Sequence, residues 1–396
     1  MLASLAEKLV QISRELVDEA RKYEKKRYLY YELKRIDPEY YIGIKGLRGV
    51  GKTVLMLQLA AETEKSVYFS ADSVLISKFS LYEIVKELTN LGYTNIFIDE
   101  IHSRPEWDKE IKSLYDEHVA RIIFSGSSAI DIVRTGADLS RRVVMEELRI
   151  VSFREFLNIW KGYNIPAISL DKILSGKELL TKEYMPAYKF FDEYLRYGGV
   201  LYPRDGFFGA LENSLKKVAT HDLGAFRDIN VKYETDVYKL LHIVAHSPPF
   251  EVNYSSLARD LEISKNMAIR MVDDLAMAGL LIPILPCRQG VDVRKEPKIY
   301  LTIPIREFFA RGNERVKGAL REEFLVNHLR NLCYIKSEKG KKTPDFKYRD
   351  IMLEREITIE VGGIGKKTYQ EADYIAVDGI STVGNRVPLF LFGFLY

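Results

Sequence analysis

Residues 41–60 read YIGIKGLRGVGKTVLMLQLA, and the order of patterns within them decides the fold. An apolar stretch of strand length comes first, the glycine-rich segment Gly46–Thr53 follows, and leucines at helical spacing come last. The segment fits G-x-x-x-x-G-K-[ST], in which small residues let backbone N–H groups surround phosphate oxygens. A helix that starts here adds its positive N-terminal end. The stretch therefore predicts a phosphate-binding loop between a strand and a helix.

Two side chains of this loop are expected to carry chemistry. Lys52 would reach the β- and γ-phosphates of a nucleotide, and Thr53 would ligate Mg²⁺. The other predicted nucleotide-binding positions are Gly46, Arg48, Gly49, Val50, Gly51 and Val54. ATP or ADP, together with Mg²⁺, are therefore the predicted cofactors.

A second apolar stretch, Ile96–Ile98, ends in Asp99 and Glu100. Open α/β sheets bind their ligands at the carboxyl ends of the strands. We expect Asp99 to hold the Mg²⁺ shell and Glu100 to polarise the attacking water as a general base. His102 follows at once and is interpreted as a polar loop residue.

Polar residues also follow the next strand, Ile122–Phe124, and precede the one after it. Ser125 and Ser127 are candidates to hydrogen-bond the γ-phosphate or the attacking water, although Ser127 is equally placed to cap a helix. Arg141 and Arg142 are candidates to stabilise charge on the transferring phosphate, in their own chain or in a neighbouring one. The alternative is a solvated basic pair.

Composition bounds the protein class. The 396 residues predict two to four domains, and 47% hydrophobic residues allow real cores. With 59 basic and 56 acidic residues the formal charge is +3, so any nucleic-acid surface must be local. The two cysteines, Cys287 and Cys333, lack metal-ligand spacing, and we expect neither a zinc ribbon nor a disulfide framework. No apolar run is long enough to span a bilayer, and the expected location is the cytoplasm.

The pattern along the chain predicts five parts. Residues 1–35 have helical spacing, strands and helices alternate from about 40 to 151, and helical spacing without strands fills 165–232. The alternation predicts a mostly parallel sheet that helices cover on both faces. The predicted domains are an N-terminal helical segment at 1–37, an ATPase core at 38–162, a helical lid at 163–233, a winged helix at 234–305 and a C-terminal α/β domain at 306–396.

The winged-helix prediction comes from the order helix, turn, helix and β-hairpin after Ser256. The first turn of the second helix would expose Lys265, Asn266 and Arg270, and the hairpin would offer Arg294 and Lys295. These groups suit contacts with DNA phosphates or base edges. Acidic residues are interspersed among them, so a protein-docking module is the alternative.

Together these elements resemble the AAA+ superfamily of P-loop ATPases, and specifically an archaeal-type group with a winged helix and a C-terminal nuclease-like domain. The matching segments are Gly46–Thr53, Asp99–His102, Ser125–Ser128, Ser140–Arg142, Ser152–Phe156 and Tyr194–Gly199. The resemblance implies an α/β core that binds and hydrolyses ATP, a helical lid, and often assembly into homo-oligomers. Family members often read Gly-Arg where this chain has Arg141-Arg142, which leaves the active arginine open.

The last domain resembles the restriction-endonuclease-like fold. That resemblance implies that Glu322, Asp345 and Glu360 stand at Mg²⁺-binding positions. The fold's E-x-K lysine is missing, because position 362 is Gly. We therefore expect a non-catalytic module. The leading hypothesis is an AAA+ ATPase that acts on DNA; an ATP-dependent switch for protein docking and an ATP-gated nuclease are the alternatives.

Overall fold

The structure is a computed structural model, and it describes residues 1–126, 139–222, 231–287, 297–336, 343–350, 354–363, 365 and 372–396. The chain forms two compact units. The first contains Met1–Arg149 and residues 221–222, and the second contains Ile150–Thr220 and the described residues from 231 onward. The sequence placed the end of the ATPase core at residue 162, whereas the structure places the boundary after Arg149. The reason is Phe153, whose ring packs on aromatic rings of the second unit, including Phe191 and Phe394.

The first unit is built on a five-stranded parallel sheet in the order β2-β3-β4-β1-β5. The strands are β1 Tyr41–Lys45, β2 Ser66–Ser70, β3 Asn95–Asp99, β4 Arg121–Gly126 and β5 Val143–Glu147. Strand β1 lies between β4 and β5, which places the segment that follows it between the carboxyl ends of those two strands. The predicted parallel sheet is therefore confirmed.

Helices cover both faces of this sheet. They are α1 Leu2–Ala20, α2 Tyr28–Leu33, α3 Lys52–Ala61, α4 Leu81–Asn90 and α5 Trp107–Asp116. Successive strand residues enter opposite cores: Ile96 and Ile98 pack with α1, α4 and α5, whereas Phe97 packs with α2 and α3. Burial on both faces explains why the strands read as continuous apolar runs.

The single helix predicted over residues 1–35 is wrong. Helix α1 ends at Ala20 and α2 begins at Tyr28, and residues 21–27 form a non-helical segment that we call the strap. The amide of Gln58 donates hydrogen bonds to the carbonyls of Tyr23 and Lys25 at 2.7 and 3.2 Å. These carbonyls thus bond to a neighbouring helix.

The second unit begins with helices and contains no strand between residues 152 and 220, as predicted for that part of the chain. The helices are α6 Phe153–Trp160, α7 Leu170–Ser175, α8 Lys177–Tyr188, α9 Phe191–Tyr197 and α10 Phe207–Lys217, with a π-helical turn at Val218–Asp222. Helices α8 and α9 are separate, because the chain breaks between them at residues 189–190.

The next part has the predicted order of helices and strands. It contains α11 Val231–His246, β6 Phe250–Glu251, α12 Tyr254–Asp260, α13 Lys265–Met277, β7 Leu281–Ile284 and β8 Lys298–Leu301. Strand β8 pairs antiparallel with both β6 and β7. The Ser264 hydroxyl accepts the Met267 N–H and caps α13, which fixes where that helix begins.

The C-terminal part of the unit contains a mixed five-stranded sheet in the order β13-β12-β11-β10-β9. Its elements are α14 Ile305–Ala310, α15 Lys317–His328, β9 Leu332–Tyr334, β10 Phe346–Asp350, β11 Arg355–Gly363, β12 Tyr374–Asp378 and β13 Arg386–Pro388. The 3₁₀ segment Leu389–Phe394 is buried throughout.

A disulfide joins Cys287, just beyond β7, to Cys333 in β9. The expectation of no disulfide is therefore wrong. No local pattern indicates this bond, because the cysteines are 46 residues apart and meet only when the two sheets meet. Beside them, the Cys287 N–H donates to Tyr334 and the Tyr334 N–H donates to Leu285, so backbone pairing continues from one sheet to the other.

A buried ion pair strengthens the same connection. Arg306 is 2% exposed and Glu323 is 1% exposed, and their side chains meet at 2.7 and 2.8 Å. Glu323 also accepts the N–H of Leu301 in β8. Among the described residues, no helix has the length and apolar character needed to cross a membrane.

Candidate functional site

The glycine-rich segment forms the turn between β1 and α3. Gly49 and Gly51 have φ values of 84° and 95°, a backbone region that residues with a Cβ rarely adopt. At Gly46 an added Cβ would lie 2.4 Å from the carbonyl oxygen of Leu148, so the loop requires glycine there for close packing. Helix α3 begins at Lys52, and its free N–H groups therefore lie at the loop.

The Lys52 ammonium group spans this loop. Its Nζ donates to the carbonyl of Gly46 at 2.8 Å and to that of Leu47 at 3.1 Å, and the residue is only 6% exposed. A desolvated ammonium next to a ring of backbone amides is an electrostatic environment that attracts phosphate. The predicted role of Lys52 therefore agrees with its position.

Asp99 ends β3 and is 2% exposed. One carboxylate oxygen accepts hydrogen bonds from the Thr53 hydroxyl at 2.6 Å and the Tyr68 hydroxyl at 2.9 Å. The other accepts the Ser125 hydroxyl and, at 3.0 Å, the backbone N–H of Glu100. All four donors are neutral, so they orient the carboxylate without cancelling its charge.

Tyr68 was missed in the sequence. It lies in β2, and alternation along a strand marked it only as a core residue. Burial and the nearby Asp99 carboxylate raise the pKa of the Tyr68 hydroxyl, which therefore remains a hydrogen-bond donor at all ordinary pH values. Its one signal was a hydroxyl in an otherwise apolar strand, next to the strand that carries Asp99.

Glu100 has a positive φ of 50°, a conformation that turns the chain away from the sheet directly after Asp99. Its carboxylate oxygens lie 3.4 Å from His102 Nε2 and 3.8 Å from Arg48 Nη1. The side chain is 22% exposed, so water can reach it. His102, interpreted as a plain loop residue, and Arg48 of the phosphate loop thus flank the predicted base.

The donor set fits a nucleotide with Mg²⁺. Hydroxyl and carboxylate oxygens are ligands that Mg²⁺ prefers. Thr53 supplies a hydroxyl oxygen and Asp99 a carboxylate oxygen, and these two atoms lie 2.6 Å apart. The loop amides and Lys52 supply the positive groups that phosphates require. When bound, the metal would add positive charge at the phosphate oxygens.

Ser125 was predicted to hydrogen-bond the γ-phosphate or the attacking water. The structure buries it completely and directs its hydroxyl to Asp99, so it orients that carboxylate instead. Its alternative, Ser127, lies outside the described residues.

Arg141 and Arg142 precede β5, whereas the phosphate loop follows the opposite end of the parallel strand β1. A five-residue strand is roughly 16 Å long, so the pair is not at its own chain's loop. Arg142 forms a two-bond ion pair with Asp116, at 2.7 and 3.1 Å, and holds the pKa of that carboxyl below its usual value. Arg141 is exposed. A role within the same chain is therefore disfavoured.

Arg27 is a residue of this site that the sequence did not single out. It is 4% exposed, and its guanidinium donates to the carbonyl of Val50 in the phosphate loop and, at 2.7 Å, to that of Arg149. In the sequence it was one of several basic residues between 21 and 35, and nothing local distinguished it from them.

The remaining predicted residues lie in the second unit. Lys265, Asn266 and Arg270 are exposed at the beginning of α13, on the side away from its buried apolar residues. Arg294 and Lys295 lie outside the described residues. Their shared use as a nucleic-acid surface stays a prediction.

The three nuclease-position carboxylates are engaged with their neighbours. Glu322 accepts hydrogen bonds from Lys298 Nζ and the Tyr300 hydroxyl, both at 2.9 Å. Glu360 accepts the N–H of Asp345 at 3.1 Å, and Asp345 accepts the N–H of Val361 at 2.8 Å. Burial and the nearby Asp345 raise the pKa of Glu322. Within the described ranges, no group of three acidic, histidine or cysteine residues is arranged to hold a metal ion.

Comparison with known proteins agrees with the first unit's geometry. Residues 38–157 match the family model of the AAA domain. The Methanocaldococcus jannaschii protein MJ1637 is 29% identical over an alignment of 390 positions, and the match covers 88% of this chain and 82% of the relative. A second protein of that archaeon, MJ1544, is 27% identical over an alignment of 162 positions, and the match covers 39% of this chain and 34% of the relative. The chain thus contains an AAA-type domain and has archaeal homologues.

Two solved structures are more distant. The Saccharomyces cerevisiae Hsp104–ADP complex has a TM-score of 0.28 and 15% identity, over 66% of this chain and 39% of the Hsp104 chain. Caenorhabditis elegans PCH-2 has a TM-score of 0.24 and 14% identity, over 70% and 71% of the two chains. These likenesses are too low to carry a structural argument here.

Proposed function

We propose that this chain is a Mg²⁺-dependent AAA+ ATPase that acts on DNA. The observation that carries the ATPase proposal is the 2.6 Å hydrogen bond between the Thr53 hydroxyl and the Asp99 carboxylate, directly beside the loop that Lys52 spans. Phosphate-binding amides, an ammonium group and metal-binding oxygens thereby converge at the carboxyl end of one sheet. This combination suits phosphoryl transfer from a nucleotide.

The chain's own groups divide the work as follows. The loop amides and Lys52 bind and orient the phosphates, and Thr53 and Asp99 would hold Mg²⁺. Glu100 accepts a proton from the attacking water or orients that water, since its carboxylate is partly exposed next to the site. Ser125 and Tyr68 hold Asp99 in one orientation through their hydroxyl groups.

Arg141 and Arg142 suit a role between subunits. Because both precede β5 at the sheet end away from the loop, either would serve a neighbouring copy's nucleotide in a homo-oligomer. A mixture of an Arg141→Ala variant with a Glu100→Gln variant should then recover part of the turnover that each lacks alone. The same mixing experiment should be repeated with Arg142→Ala. If neither arginine variant recovers turnover when mixed with Glu100→Gln, action between subunits is contradicted.

The DNA proposal rests on α13. Its first two turns expose Lys265, Asn266 and Arg270 after the Ser264 cap, and a short helix and a β-hairpin flank it in the order expected of a winged helix. The basic residues of the strap and α2 add less to a DNA-binding surface than their number indicates, because Lys26 and Lys34 are paired with Glu62. These two pairs and the Tyr30 hydroxyl lower the pKa of Glu62 to about 2.

The same internal pairing favours a second candidate, an ATP-dependent switch that docks a protein. Because Lys26 and Lys34 are neutralised within the first unit, the proposal of DNA binding depends on α13 and the hairpin. We do not propose nuclease activity, because each nuclease-position carboxylate already binds a side chain or backbone group of its own unit.

The deciding experiment measures ATP turnover of the full chain with no DNA and with duplex, single-stranded and branched DNA. Lys52→Ala is the control, since it should remove tight ATP binding in every condition. Turnover that Lys52→Ala abolishes and that DNA accelerates supports the whole proposal. Turnover indifferent to every DNA would favour the docking switch, and tight ATP binding by Lys52→Ala would overturn the assignment of the loop.

A direct test of α13 uses salt. If Lys265 and Arg270 contact phosphates, the Lys265→Ala/Arg270→Ala variant should reduce the slope of log affinity against log salt by roughly two, one per lost contact. Both side chains are exposed, so the variant should melt like the parent. An unchanged slope in a normally melting variant would exclude this helix as the DNA-binding element.

A further inference from the structure

Arg27 links the phosphate loop to the place where the chain leaves the first unit. Arginine is seldom buried, yet this one is 4% exposed and donates to two backbone carbonyls, those of Val50 and Arg149. Val50 is in the phosphate loop, and Arg149 is the last residue of the first unit before the second begins. One planar guanidinium thus binds both segments.

The Val50 bond controls a phosphate-binding group. In a planar trans peptide the C=O and the following N–H point in opposite directions. The bond from Arg27 to the Val50 carbonyl therefore fixes the direction of the Gly51 N–H on the other side of the same peptide. Gly51 has a φ of 95°, a region where a glycine can rotate more freely than other residues, so this peptide gains most from an external anchor.

The segment 147–149 is held at the same place. The Tyr28 hydroxyl donates to the carbonyl of Glu147 at 2.7 Å and accepts the N–H of Arg149 at 3.2 Å. Gly46, at the start of the loop, packs against the Leu148 carbonyl. Two consecutive residues, Arg27 and Tyr28, thereby hold residues 147–149, which we call the exit segment, beside the loop.

The strap is itself fixed to α3, the helix that follows the loop. Gln58 of α3 is 6% exposed and binds the carbonyls of Tyr23 and Lys25. Lys26 pairs with Glu62, directly after the helix. Arg27 therefore moves with α3 and the loop and is not carried on a free loop of its own.

We propose that Arg27 is a positioning residue that couples the nucleotide state of the phosphate loop to the exit segment 147–149. The inference rests on the proposed nucleotide-binding function. Phosphate on the Gly51 N–H fixes the 50–51 peptide, which fixes the guanidinium and, through its second bond, the Arg149 carbonyl. When the loop peptide turns, Arg27 loses one of its two carbonyls and the exit segment is released.

The test is hydrogen–deuterium exchange of the full chain with and without ADP and Mg²⁺. In the parent, the nucleotide should slow exchange both in the loop, 46–53, and in the exit segment. Arg27→Lys keeps the positive charge but replaces the planar guanidinium by a single ammonium group, which cannot hydrogen-bond the Val50 and Arg149 carbonyls with the same geometry. At saturating ADP this variant should keep slow exchange in the loop and lose the slowing in 147–149.

Kinetics separate positioning from a general structural role. Because the Gly51 N–H binds phosphate in the ground state and the transition state alike, Arg27→Lys should raise the KM for ATP roughly tenfold with kcat nearly unchanged. Arg21→Lys, the same change at an exposed position of the strap, is the matched control and should alter neither. Tyr28→Phe should leave KM unchanged and speed exchange of the Arg149 amide roughly fivefold, the effect of one lost hydrogen bond.

The outcomes distinguish this proposal from the function on which it rests. If the parent binds ADP and Lys52→Ala does not, but exchange in 147–149 is unchanged by ADP, the coupling is wrong and the nucleotide site stands. Slowing of 147–149 that persists in Arg27→Lys would also overturn the coupling. If the parent binds no nucleotide, the proposed function itself fails. Should Arg27→Lys not fold, the parent and Tyr28→Phe measurements remain decisive.

Discussion

Each unit holds buried or half-buried carboxylates among polar neighbours, and the two units satisfy them in opposite ways. In the first unit, Asp99 receives four hydrogen bonds from three hydroxyls and a backbone N–H, all of them neutral. In the second, Glu322 receives the Lys298 ammonium, while Asp345 and Glu360 bind backbone amides of each other's strands. Neutral donors orient a carboxylate and leave its charge available to a cation, whereas an ammonium group takes the cation's place. Carboxylates in the two units are therefore suited to different chemistry, because Asp99 can still bind a cation and Glu322 already binds an ammonium group.

The largest expected effect lies in the first cluster. Glu100→Gln removes the proposed base and leaves Asp99 and Thr53 in place, so ATP should stay bound while turnover falls by roughly 10²–10⁴-fold. Single-turnover hydrolysis and equilibrium binding of ATP measure the two quantities separately. The matched change in the other cluster, Glu322→Gln, should leave turnover within about twofold of the parent.

Two outcomes would break the comparison. Normal turnover in Glu100→Gln would remove the base from the first cluster. A large loss of turnover in a correctly folded Glu322→Gln would show that the second cluster takes part in the ATPase cycle.

The disulfide should have the next largest effect, on the second unit alone. Replacing Cys287 and Cys333 by Ser opens a loop of 46 residues, which on chain-entropy grounds lowers the free energy of unfolding by about 4 kcal/mol. Calorimetry should show the second unit melting earlier, while ADP binding by the first unit is retained. Equal melting of parent and double variant in oxidising buffer would mean that the bond contributes nothing to the fold.

A smaller effect is expected from removing the internal cation of the second cluster. Lys298→Met should lower the stability of this unit by about 2–3 kcal/mol, because it leaves Glu322 buried next to Asp345 without its ammonium partner. Lys347→Met, which breaks the exposed pair with Glu356, is the control and should cost much less. If Mg²⁺ or Mn²⁺ restores the melting temperature of Lys298→Met and not of the parent, the lysine occupies the place of a metal ion. No restoration would mean that the cluster has lost metal binding altogether.

The smallest effect concerns pH. The pKa of Glu322 is raised in the folded protein from its ordinary value of 4.5, so the folded state holds this proton more tightly than the unfolded state does. This contribution to stability is therefore greatest below about pH 4.5 and declines as pH rises through the raised pKa. Urea unfolding of parent and Glu322→Gln from pH 4 to 8 should show the variant gaining relative stability as pH rises. Parallel curves would contradict the burial of this carboxyl.

The first unit's parallel sheet was predictable from the sequence, and so was the location of the candidate site residues at its carboxyl edge, because each prediction there depended on local order. Asp99 ends β3, and Lys52 and Thr53 begin the helix after the loop that follows β1, so the edge at which parallel strands end brings them together. Arg27 and Tyr68 were missed because their roles depend on partners 23 and 31 residues away, to which no local pattern points. Ser125 was found as a site residue and given the wrong partner, since a strand-end position does not reveal which way a hydroxyl turns.

In the second unit the order of helices and strands was predictable, and the joins between them were not. The disulfide, the Lys298–Glu322 pair and the bond from the Leu301 N–H to Glu323 all connect parts that the sequence separated into a winged helix and a nuclease-like domain. Periodicity reports which face of an element is buried and says nothing about what buries it. The predicted domain limit at residue 305 therefore marks a change in the sequence pattern, and side-chain packing continues across it.

The pairing of Leu285 and Cys287 with Tyr334 has a consequence for how this protein can be dissected. A fragment that ends at residue 305 would keep α13 for DNA-binding assays but would expose the strand edge that Tyr334 covers, and unpaired edges promote aggregation. The complementary fragment would keep the Arg306–Glu323 pair but lose the Ala245 and Ser247 carbonyls that Arg306 binds and the Leu301 N–H that Glu323 accepts. Residues 231–396 are therefore best expressed as one fragment. A chimera with a relative should be joined at the boundary after Arg149.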